Sequence, residues 1–163
     1  MPYTPILATL GYVLSPDREL VLLIHRNARP DDPARGKVNG LGGKLEPTED
    51  AAAGMKRELW EEAGITVTEM TLRGTVSWPG FGKQGEDWFG FIFVITAFSG
   101  APLASNPEGA LSWQALEKLL GGELPLWPGD RHFLPLVFDD DPRPFHGVMP
   151  YVSGQPVAWS FTR

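Results

Sequence analysis

Glu58, Glu61 and Glu62 stand three and four residues apart in the stretch GGKLEPTEDAAAGMKRELWEEAGI, residues 42–65. On a helix that spacing gathers the carboxylates along one edge, where like charges repel one another. A divalent cation would cancel the repulsion. Oxygen donors with no histidine or cysteine beside them suit magnesium or manganese. An acidic run of this kind is more often only a solvated helix face, so its surroundings must decide. The turn LGGK precedes it, with backbone carbonyls free to face the acids. Arg57 and Glu49 are eight residues apart, two turns along one side, so the arginine can reach back and pin the helix to the loop before it.

The elements that must position these acids follow from periodicity. Residues 48–63 repeat apolar positions at helical spacing, with Ala51, Ala52, Met55, Leu59 and Ala63 as the core stripe. Thr48 is the expected cap, and Gly64 the stop. Segments 6–14 and 19–26 flank the turn SPDR and predict a hairpin. A polar loop (27–37) leads to a short strand, VNGLGG. Residues 65–78 and 87–100 are rich in β-branched and aromatic residues and predict strands, followed by a short strand at 110–113. QALEKLL predicts a helix, as does 130–138 with Asp130 as its cap. The tail predicts a hairpin around SGQP. This order implies an α/β sandwich, one mixed sheet between helices.

Composition sets the outer bounds. The 163 residues, 42% of them hydrophobic, suit a single domain over 1–163 with a real core. A net charge of −6 disfavours a polymeric nucleic acid as partner, but not a small anion that brings a metal. Zero cysteines remove disulfides and thiolate metal sites. No apolar run is long enough for a membrane span and no secretion signal is read, so a cytoplasmic location is expected.

Residues 43–65 resemble the signature of the Nudix hydrolases: Gly43, five residues, Glu49, seven residues, then RELWEEAGI from Arg57 to Ile65. The resemblance implies an α/β/α sandwich and a hydrolase acting on a diphosphate, with magnesium (or manganese) as cofactor. It makes Glu58, Glu61 and Glu62 the metal ligands and catalytic acids, joined by the Gly42 carbonyl. Some members use a further glutamate outside the signature, and Glu86 in the loop GKQGEDWF is the candidate here. Chemically the metal neutralises the transferring group and activates water.

WPGDRHFLPL (127–136) and FHG (145–147) resemble the oxidised-purine nucleoside triphosphatases of that family. By this resemblance Asn39 and Asp130 meet the base, Trp127 and Trp78 surround the ring, Thr9 gives a hydroxyl and Arg26 a positive charge. The implied reaction is 8-oxo-dGTP to 8-oxo-dGMP and pyrophosphate, a nucleotide-pool sanitation step upstream of DNA repair, by a monomer or homodimer. Gly129 stands where that group carries a second aspartate, so Gly129→Asp would be expected to widen the base range. Two alternatives remain. Pro79, about fifteen residues beyond the signature, also suits an ADP-ribose pyrophosphatase. A non-catalytic nucleotide-sensing domain would share the scaffold, though such domains tend to lose the glutamates retained here.

Overall fold

The computed structural model describes residues 1–163. The β-branched and aromatic runs form the two longest strands, β4 (Thr66–Trp78) and β5 (Trp88–Ser99), paired antiparallel. The N-terminal strand β1 (Ile6–Leu14) lies parallel to β5, from Ile6 opposite Trp88 to Val13 opposite Ile95. Its expected hairpin partner, β2 (Leu20–His25), meets β1 only at Val13–Leu22 and Leu14–Val21. The two strands then splay. Into the gap fits the glycine turn, bridged to β1 at Gly11–Leu41 and Ala8–Lys44. That insertion positions the site, and it explains why the strand expected over VNGLGG shrinks to β3 (Val38–Asn39).

The remaining strands are β6 (Ser105–Asn106), β7 (Gly109–Ala115), β8 (Phe145–Val148), β9 (Tyr151–Val152), β10 (Gln155–Pro156) and β11 (Ser160–Thr162). One mixed sheet runs β11, β8, β4, β5, β1, β2, β7, β6, with β3 also on β2, while β9 and β10 form the small hairpin around SGQP. Successive strand residues feed opposite faces of the sheet. Tyr12, Leu14, Leu23, Ile92 and Val94 enter one core, and Val13, Leu22, Ile24, Phe93 and Ile95 the other. Helices cover both faces, as the sequence predicts. No helix is long and apolar enough to cross a membrane.

Helix α1 (Ala51–Ala63) lies on the second face through Met55, Leu59 and Ala63, each fully buried. Burying a Met or Leu side chain contributes on the order of 2 kcal/mol. Ala52, expected in that stripe, is exposed. Asp50, not Thr48, caps the helix: its carboxylate accepts from the Ala53 N–H at 2.7 Å. The chain turns helical only at Ala51, so the backbone path puts Asp50 and not Thr48 at the cap, where its charge also suits the positive helix end. Gly64 ends the helix at φ 69°, a left-handed conformation that glycine adopts without strain. On the first face, α2 is only Leu116–Leu120, because Gln114 and Ala115 stay in β7 opposite Val21 and Leu20. Helix α3 (Asp130–Val137) buries Phe133, Leu134 and Val137.

Candidate active site

Gly42 and Gly43 pass so close to their neighbours that no side chain fits. A β-carbon on Gly42 would lie 1.9 Å from the Thr9 carbonyl oxygen. On Gly43 it would lie 2.5 Å from Glu58 Oε1. The glycine turn is therefore wedged between β1 and the acidic edge of α1. Thr9 is buried, and both its N–H (2.8 Å) and its hydroxyl (3.4 Å) donate to the Gly43 carbonyl. Its polar groups hold the turn. The Gly42 N–H donates to Glu62 Oε2 at 3.2 Å, so the amide of Gly42 faces the acids.

Arg57 is the hub, and the reach to Glu49 expected from spacing is present. Its Nη2 and Nε donate to Glu49 at 2.6 and 2.9 Å. Nη1 donates to Glu58 at 2.9 Å and to Glu61 at 3.1 Å, and Nη2 also reaches the Lys44 carbonyl at 3.1 Å. The Arg57 guanidinium beside it holds the Glu49 carboxyl down to about 2. Glu58 and Glu62 go the other way. Burial pushes Glu58 up. Burial, then Glu108 and then Glu58, push Glu62 up to about 8.

Glu108 is the acid that sequence reasoning missed. It lies in the β6–β7 turn NPEG, where nothing periodic marks it. Asn106 ties that turn to the end of α1, donating from Nδ2 to the Glu62 carbonyl at 3.1 Å and accepting the Glu108 N–H at 2.9 Å. Arg26 answers the resulting negative charge. Its Nη1 is 3.6 Å from Glu108 Oε2, and its Nε is held by Asp32 at 2.8 Å. Glu86 is placed differently. It is exposed, and backbone N–H groups of its own loop, its own and then that of Gln84, hold its carboxyl below the usual range.

The donor set suits a hard divalent cation: carboxylate oxygens, with no nitrogen or sulfur among them. Packed acids with raised affinity for protons are also what a cation would relieve. In this conformation no three acidic or histidine side chains converge on one point, because Arg57 takes Glu58 and Glu61 to itself.

Beyond the turn, residues 37–40 run beside a second cluster. The Val38 N–H donates to the Pro125 carbonyl at 2.9 Å, and a β-carbon on Gly40 would lie 3.0 Å from the Tyr12 ring. Between them, Asn39 Oδ1 is buried and has no hydrogen-bond partner. Phe81 centres an aromatic cage, 5.1 Å from Trp127, 5.1 Å from Tyr151 and 6.0 Å from Trp78 between ring centroids. Phe81 and Tyr151 were not legible as cage members. Trp78 also lies against Gly90 and Phe133 as a core side chain.

Asp130 does not cap α3. Gly129 occupies the cap position and Asp130 begins the helix, its carboxylate receiving no hydrogen bond. Burial pushes it up to about 7, with only the Lys37 charge opposing. A second aspartate at 129 has no room, since a β-carbon there would lie 2.2 Å from Met149 Sδ. The widening expected of Gly129→Asp would first require Met149 and Tyr151 to move aside.

Known proteins are similar to this chain in sequence and fold. The NUDIX domain family matches residues 4–137. The oxidized purine nucleoside triphosphate hydrolase of Mus musculus is 33% identical over 131 residues, 80% of this chain and 78% of that protein. The uncharacterized Nudix hydrolase YvcI of Bacillus subtilis (strain 168) is 29% identical over 143 residues, 85% of this chain and 83% of that protein. The crystal structure of a mutator MutT protein from Bacillus halodurans superposes with a TM-score of 0.80 at 30% identity, over 96% of this chain and 97% of that one.

Proposed function

This chain belongs to the Nudix family and is a hydrolase of nucleoside diphosphate derivatives, and from that premise we propose a magnesium-dependent pyrophosphohydrolase of oxidised guanine nucleoside triphosphates. The reaction is 8-oxo-dGTP to 8-oxo-dGMP and pyrophosphate, which serves nucleotide-pool sanitation in the cytoplasm. The observation that carries the base assignment is Asn39 Oδ1, buried without a donor, together with the half-buried Asp130 carboxylate, which caps nothing. A buried acceptor without a donor, beside a carboxylate still open to a partner, suits a ligand that brings N–H groups. A guanine edge brings N1–H and a 2-amino group to a carboxylate. Oxidation at C8 adds a ring N–H for Asn39.

Each step falls to named residues. Trp127 and Phe81 hold the base by stacking, worth about 1–3 kcal/mol. Magnesium, held by Glu58, Glu61 and Glu62 with the Gly42 carbonyl, would neutralise the diphosphate and favour ionisation of water. Glu108, beside Glu62, is placed to take the proton of an attacking water, with Glu86 as the rival further out. Arg57 keeps Glu58 and Glu61 in place, while Arg26 balances Glu108 and presents positive charge to the phosphates.

The test is a panel with magnesium: 8-oxo-dGTP, dGTP, 2-oxo-dATP, ADP-ribose and a dinucleoside tetraphosphate, compared by kcat/KM. We expect 8-oxo-dGTP to lead, and turnover to cease in excess chelator. A panel led by ADP-ribose would replace the reading, and full turnover with chelator present would remove the metal from it.

A further inference from the structure

Gly129 is buried, and two side chains from the far end of the chain close over it. A β-carbon there would meet Met149 Sδ at 2.2 Å and Tyr151 Oη at 2.5 Å. The turn before α3 therefore presents one carboxylate only, and the space beside it belongs to the Tyr151 hydroxyl. That hydroxyl is held in place. The Tyr151 N–H donates to the Pro79 carbonyl at 2.8 Å, and the ring meets Phe81 edge-on at 5.1 Å. Burial, then the Asp130 charge, push the phenol up to about 12, so it stays neutral at any working pH.

A phenol hydroxyl both donates and accepts. Unlike a carboxylate, it can bring a hydrogen to the edge of a base. Asp130, once ionised, only accepts. Side by side they form a fixed pattern of donor and acceptor.

We propose that Tyr151 is a specificity-determining residue, donating its hydroxyl hydrogen to the 6-carbonyl oxygen of a guanine-type base while Asp130 accepts from N1–H and the 2-amino group. The inference rests on the guanine-directed reading above and deepens it. A guanine edge reads acceptor, donor, donor, which matches. An adenine-type edge carries an amino group at position 6 and sets donor against donor. Two neighbouring acids could adapt by passing a proton between them. A carboxylate beside a phenol that keeps its proton cannot.

Tyr151→Phe keeps the ring and its packing and removes only the hydroxyl. We expect kcat/KM for 8-oxo-dGTP and dGTP to fall about tenfold, chiefly through KM. Turnover of 2-oxo-dATP should hold or rise, with the thermal midpoint near wild type. Met149→Leu, which keeps the wedge on Gly129, should leave the guanine-to-adenine ratio unchanged. If the wild type favours guanine and Tyr151→Phe keeps the same ratio, the inference is wrong while the guanine reading stands. A ratio shifted equally by Met149→Leu would assign selectivity to the wedge and overturn the hydroxyl. A wild type with no guanine preference removes the reading and the inference together.

Discussion

Replacing Asp130 by asparagine should make the protein more stable at pH 8 and a poorer enzyme on guanine nucleotides. The carboxyl titrates near 3.8 in an unfolded chain and at about 7 in the fold, because burial opposes its charge. Between those values the unfolded chain has released a proton that the folded protein retains. Stability therefore falls as pH rises from about 4 to 7, and stays at the lower value above. The whole shift corresponds to roughly 4 kcal/mol at 1.36 kcal/mol per pH unit. Asp130 is only partly buried, so about a third to a half of that, roughly 1–2 kcal/mol, is the expected gain for Asp130→Asn. Losing the charge at the α3 N-terminus takes back about 0.3–1 kcal/mol. No cap bond is lost, since none exists. Catalysis moves the other way. Asparagine must turn an N–H toward N1–H or the 2-amino group, and each unmatched donor costs roughly 1–3 kcal/mol, about ten- to hundredfold in kcat/KM. The assays are thermal unfolding and kcat/KM on 8-oxo-dGTP from pH 5 to 9. Wild-type kcat/KM should climb through about pH 7 as Asp130 ionises, and the variant should be low without that rise. A variant that is less stable at pH 8, or undiminished on 8-oxo-dGTP, refutes the reasoning.

Other substitutions separate the parts of the site. Glu62→Gln and Glu58→Gln should each lower kcat by roughly two to three orders of magnitude with the fold retained, as read by steady-state kinetics and circular dichroism. Near-normal activity with unchanged magnesium affinity in Glu62→Gln would contradict the ligand assignment. Gly43→Ala places a β-carbon 2.5 Å from Glu58 Oε1, and the side chain it displaces is a proposed magnesium ligand, so kcat should fall about hundredfold with little change in thermal midpoint. Gly42→Ala meets the Thr9 backbone at 1.9 Å, which cannot step aside, and should destabilise toward the upper end of roughly 1–3 kcal/mol. Glu108→Gln should cost more in kcat than Glu86→Gln. The reverse order would make the outer acid the proton acceptor.

What was legible in the sequence was local. The helix edge, its glycine stop and the Arg57–Glu49 pair follow from spacing along one element, and all are present. Thr48 and Asp50 could not be separated as caps, since both types serve and only the backbone path selects. Glu108 was hidden for a different reason. It lies 46 positions after Glu62 and becomes its neighbour only because β7 pairs with β2 and Asn106 clasps α1. Asp130 shows the same limit from the other side. The sequence offers an acid at a helix start, and capping is the ordinary reading of that pattern. The fold contradicts it by leaving the carboxylate without an N–H donor and closing tyrosine and methionine over the preceding glycine. A polar group that local structure could have satisfied, and did not, stays available to a ligand. Asn39 Oδ1 goes further, being buried as well as without a partner. The proposed base pocket thus rests less on residue types than on hydrogen bonds the fold withholds, and those are settled only when distant segments pack.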